Sequence, residues 1–88
     1  MMEKWKGIMQ AGFLEMPVNV ICNRLSGGVS EWHGSGETNK YWPMNQLQFE
    51  TNIGTVLILK SEMRTNGKHY IEFKGSGNMK GPLAERMA

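Results

Sequence analysis

"EWHGSGE", residues Glu31–Glu37, and "EFKGSGN", residues Glu72–Asn78, set the same pattern twice in a chain of 88 residues: Glu, aromatic, any residue, Gly-Ser-Gly. Read with the two-residue period of a β-strand, the aromatic ring and the glycine two positions on share one face, and the glutamate lies on the other. The pattern therefore predicts a strand whose aromatic enters a core. The glycine leaves room there for a neighbouring strand to come close. A fainter echo, "KWKG" at Lys4–Gly7, stands near the start of the chain.

The segments on either side of each copy supply its partners. "VNVICN" (Val18–Asn23), "QLQFET" (Gln46–Thr51), "TVLILK" (Thr55–Lys60) and "HYIEFK" (His69–Lys74) read as strands, being alternating or β-branched and apolar. "SGG" (Ser26–Gly28), "NIG" (Asn52–Gly54) and "TNG" (Thr65–Gly67) each end in glycine, as a three-residue hairpin loop requires. Those loops predict Cys22 opposite Trp32, Val20 opposite Gly34 and Asn23 opposite Glu31 in the first hairpin. In the long hairpin they predict Leu59 opposite Phe73, Lys60 opposite Glu72, Ser61 opposite Ile71 and Met63 opposite His69. Between these, "NIG" predicts Phe49 opposite Leu57 and Leu47 opposite Leu59. The expected fold is all-β: a small six-stranded antiparallel barrel or strongly curved sheet, built from two duplicated three-stranded meanders. Residues 1–88 form one domain, since a chain of this length holds one core. "PLAERMA" near the end is a turn of helix that needs packing to persist.

Composition narrows the chemistry. All eight acids are Glu, so constellations that need Asp are excluded, from Ser-His-Asp triads to EF-hand loops. One cysteine, Cys22, permits no internal disulfide, and its expected place is the core face. Neither Gly-Ser-Gly segment continues into the Lys-Ser/Thr helix of a phosphate-binding loop. The two histidines, His33 and His69, are expected apart and on the surface, which leaves no metal site, and no cofactor is expected. No apolar run reaches the length of a membrane span, and "MMEKWKGIMQ" lacks the apolar block of a signal peptide. The expected setting is cytoplasmic and the expected protein is not an enzyme.

Two surfaces remain as candidates. If Leu57 and Leu59 fill the core, Val56 and Ile58 face outward together with Ile21, and this apolar row needs a cover. Tyr41 and Trp42, in the aromatic linker "TNKYWPMN", either close one end of the barrel or expose a separate patch of the kind enriched at interface hot spots. Ile21, Val56, Ile58, Tyr41 and Trp42 are thus the candidate contacts of a protein-interaction module that works as a homo-oligomer or with a protein partner. The alternative is single-stranded nucleic-acid binding by a basic hairpin carrying Arg64, Lys68, His69, Tyr70 and Lys74. A small apolar ligand at the barrel mouth is the third reading. Net charge, +2, favours none of them.

Overall fold

Gly12, at a φ of 63°, and Phe13 form a two-residue turn that joins β1 (Met2–Ala11) to β2 (Leu14–Arg24). A positive φ at the first central residue is the type II′ geometry, whose twist matches that of the strands it joins. The computed structural model describes residues 2–24 and 30–87. The other strands are β3 (Ser30–Thr38), β4 (Gln48–Thr51), β5 (Gly54–Met63) and β6 (His69–Ser76), followed by the short helix α1 (Gly81–Met87). They form one antiparallel sheet in the order β1-β2-β3-β6-β5-β4, curled into a half-barrel. The all-β, strongly curved sheet is as expected; a duplication is not shown.

The order places the two copies of the repeated pattern side by side and antiparallel, with Gly34 opposite Phe73 and His33 opposite Lys74. A methyl group built on Gly34 would lie 2.8 Å from the Phe73 ring, and one on Gly75 would lie 1.8 Å from the Trp32 ring. Each aromatic therefore covers the glycine of the other strand. Glycine is destabilising in a strand interior because it has nothing to pack, and a ring laid across it from the next strand restores the buried area. Mutual cover of this kind needs the same pattern on both strands. The repeat is explained by pairing, with no appeal to its origin.

The inner face of the sheet carries the core. Met9, Met16, Val18, Val20, Cys22, Trp32, Val56, Ile71 and Phe73 are all buried there, with Phe49 beside them. The segment after β3 leaves from Thr38, next to His69, and returns at Gln48, next to Leu57. It must cross β6 and β5 to do so. Trp42 from this segment is buried against Phe49, with ring centroids 5.0 Å apart, so it closes the half-barrel as a plug. Leu83 is fully buried and holds α1 in place. Seven residues of helix are too short to persist alone, and burying one leucine contributes about 1.5–3 kcal/mol.

Asn52 links the two ends of the curled sheet. Its side-chain oxygen accepts from the Gln10 N–H at 2.7 Å, its amide donates to the Ile8 carbonyl at 3.1 Å, and its backbone N–H donates to the Gln10 carbonyl at 2.9 Å. One asparagine thus stands in for a neighbouring strand along part of β1. Asn52→Ala removes two of these bonds near the surface and is expected to cost about 1–2 kcal/mol. A urea melt measures it, and an unchanged midpoint would show that closure at this corner adds nothing.

The register of the first hairpin holds, that of the long hairpin holds from Lys60 onward, and that between β4 and β5 does not. Cys22 faces Trp32, Val20 faces Gly34 and Asn23 faces Glu31, although the Ser26–Gly28 turn itself lies outside the described residues. Lys60 faces Glu72, Ser61 faces Ile71 and Met63 faces His69. Between β4 and β5, however, Thr51 pairs with Gly54, so the turn is two residues, Asn52 and Ile53, rather than three. The shorter turn slips β4 by one position and puts Phe49 opposite Val56. A bulge at Leu59 then absorbs the extra residue, so Ile58 and not Leu59 faces Phe73. The slip and the bulge together reverse the facing of the β5 residues before Leu59, keep Phe49 inside, and leave the residues after Leu59 as expected.

Candidate functional site

That reversal decides the first candidate surface. Val56 is fully buried opposite Phe49, and Ile58 packs on the core opposite Phe73, so neither forms an outward row. Trp42 is likewise interior. Ile21 alone keeps its outward place, half-buried between Lys4 and His33, while Tyr41 is exposed on the crossing segment. The outward apolar row is therefore reduced to Ile21, and the linker segment to Tyr41.

The basic hairpin is also altered by its neighbours. The Arg64 guanidinium lies 3.6 Å from the centre of the Tyr70 ring and pairs with Glu37 at 3.7 Å and Glu62 at 3.8 Å. The Tyr70 hydroxyl donates to the Glu72 carboxylate at 2.8 Å. His69 is not a surface residue: it is buried on the inner face, its Nε2 2.7 Å from the Ser61 hydroxyl. Lys68 and Lys74 remain exposed. A surface ion pair contributes only a few tenths to 1 kcal/mol, yet two carboxylates beside Arg64 remove most of the field that a phosphate would meet. His33 lies on the outer face and His69 on the inner one, and among the described residues no three potential metal-binding side chains converge.

Glu72 has a further effect. By accepting from the Tyr70 hydroxyl it raises the Tyr70 pKa above its ordinary value; burial and the charge of Glu72 add to this, and a Ser35 hydrogen bond and Arg64 oppose it. The folded chain then holds this proton more tightly than the unfolded chain. The stabilisation is complete below about pH 10 and is lost as pH rises through the folded value. In Glu72→Gln the Tyr70 absorbance titration is expected to move to lower pH. A titration that stays put would remove Glu72 as the cause.

The apolar side chains that do face solvent gather elsewhere. Leu47 is 67% exposed and Leu59 62%, and they adjoin, because the Ile58 N–H donates to the Leu47 carbonyl at 2.8 Å. Met63, four residues further along β5, is exposed as well. Here β4 stops while β5 runs on, so the backbone of β5 from Leu59 to Met63 borders β6 on one side and no strand on the other. This lip, an unpaired edge with an apolar fringe, was missed because its exposure depends on the turn length and the bulge. The signal that locates the first of these was present in "FETNIGT": a two-residue turn also fits, and it puts Phe49 opposite the β-branched Val56.

Comparison with known proteins finds no matching family model, no similar curated protein and no similar solved structure. No helix of the described residues is long and apolar enough to cross a membrane.

Proposed function

We propose that this chain is a non-enzymatic protein-interaction module that takes an extended polypeptide strand along the β5 lip, with its own kind as the first partner. The observation that carries the reading is the coincidence of unpaired backbone with exposed Leu47, Leu59 and Met63 at one place. Backbone groups supply affinity in strand addition, and side chains beside the edge supply selection. The inner face speaks against a ligand chamber, since Trp32, Trp42, Phe49 and Phe73 fill it. Against nucleic acid stands the pairing of Arg64 with Glu37 and Glu62. The reading keeps the protein in the cytoplasm, the compartment that a chain with one cysteine, and so no internal disulfide, suits.

Sedimentation across a range of concentrations, at low and high salt, with and without a fluorescent random single-stranded oligonucleotide, tests it. Association that survives high salt and leaves the oligonucleotide behind supports the module. A monomer that carries the oligonucleotide only at low salt would transfer the function to Lys68, Lys74 and their surroundings, because phosphate binding weakens steeply as salt rises.

A further inference from the structure

We infer that β5 pairs with β5 of a second copy, antiparallel, about a two-fold axis at Ser61; this rests on the reading just given and specifies its partner and register. The backbone directions come first. The Arg64 N–H donates to the Lys68 carbonyl at 2.9 Å, which makes Arg64 and Lys68 a hydrogen-bonded pair. Bonded and non-bonded pairs alternate along an antiparallel ladder. Glu62 with Tyr70 and Lys60 with Glu72 are therefore bonded pairs, and the N–H and carbonyl groups of Ser61 and Met63 point away from β6. Among the described residues no backbone hydrogen bond reaches them from that side.

The window is bounded at both ends. Leu47 occupies the position opposite Ile58, and the chain turns away after Met63. Only Leu59–Met63 is open, so a second copy must fit its own Leu59–Met63 into that length.

Charge then selects the register. Centred on Glu62, the pairing sets Glu62 against Glu62 and Lys60 against Arg64. Centred on Lys60, it sets Lys60 against Lys60 and drives Glu62 into the space that Leu47 holds. A centre on Met63 opposes Ser61 to Thr65 in the turn and Glu62 to Arg64, past the end of β5, and a centre on Leu59 collides with Leu47. Centred on Ser61, Lys60 of each copy lies opposite Glu62 of the other, and Leu59 lies opposite Met63. Opposite charges directly across a ladder stabilise it and like charges destabilise it. Ser61 facing Ser61 is then a bonded pair, as its outward-pointing backbone groups require. Both apolar side chains at the ends of the window, exposed in the single chain, become covered.

Charge reversal in matched variants tests the register. The parent is expected to show a monomer–dimer equilibrium in sedimentation velocity between low micromolar and millimolar concentration. Lys60→Glu and Glu62→Lys alone each place like charges together twice and are expected to weaken the dimer about tenfold. Mixed in equal amounts, the two variants are expected to associate again at near-parental strength, because every opposed pair is then of opposite sign. Mixing leaves the stability of each chain unchanged, so recovery reports the contact itself. A parent that stays monomeric throughout, single variants that dimerise like the parent, or a mixture no stronger than its components overturns the proposal. Leu59→Lys separates the two levels: if it abolishes association while the charge variants behave as the parent does, the lip still binds and the Ser61 register is wrong.

Discussion

Phe73→Ala lowers the free energy of unfolding by about 3–5 kcal/mol, the expected result for deleting a fully buried ring whose site cannot collapse. The site is rigid because strands on both sides meet on that ring. It stands opposite Ile58 on one side and Gly34 on the other, and it supplies the surface that Gly34 lacks. Removing it empties the middle of the inner face and strips the cover from a strand interior. Native domains are stable by roughly 5–15 kcal/mol, so the variant is expected to lose a large part of its folded population at physiological temperature. Urea unfolding followed by tryptophan fluorescence measures the change. A loss under about 1 kcal/mol would mean that the ring is not seated in the core, and the account of the repeated pattern would fall with it.

Gly75→Ala tests the other half of that account by adding one carbon. The new methyl would lie 1.8–2.3 Å from three atoms of the Trp32 ring, far inside contact distance. Trp32 has little freedom to withdraw, since it is 3% exposed and its indole N–H donates to the Gly77 carbonyl at 3.1 Å. The expected cost is about 3 kcal/mol, at the upper end for overpacking a core. Trp32→Ala alone costs a similar amount or more. The two changes share one volume, so the double variant is expected to lose about 1–3 kcal/mol less than the sum of the single losses. Strict additivity in that cycle would show that the ring and the glycine do not meet.

Much of this architecture was legible in the chain, because strand alternation and glycine-terminated turns are local signals. The face of Trp32 and Phe73, the pairing of Cys22 with Trp32 and that of Lys60 with Glu72 all follow from a few residues around each hairpin. The facing of Val56 and Ile58 was not legible for a specific reason. "TVLILK" is apolar at successive positions, so it carries no alternation to report which side is inside, and a bulge at Leu59 costs nothing that its neighbours would register. His69 was misplaced because burial at the end of a hairpin depends on what lies across it, and the segment from Thr38 to Gln48 is a distant stretch of chain. The β5 lip followed the same logic. Its exposure is what remains after β4 ends early, and no residue within it announces that.

The pairing of β3 with β6 has a consequence for how the protein folds. The β1-β2, β2-β3, β4-β5 and β5-β6 ladders each close over a short connection, whereas β3 and β6 are joined through the whole of the intervening chain. Loop closure costs entropy before contacts repay it, so two three-stranded halves are expected to form early and wait for one encounter. Until that encounter each half exposes an aromatic-and-glycine edge that fits the other half of any nearby molecule equally well. The seam that joins the two halves of the native sheet is therefore also where two chains would exchange halves if folded at high concentration, and substitutions at Trp32 or Phe73 are expected to slow refolding more than they hasten unfolding.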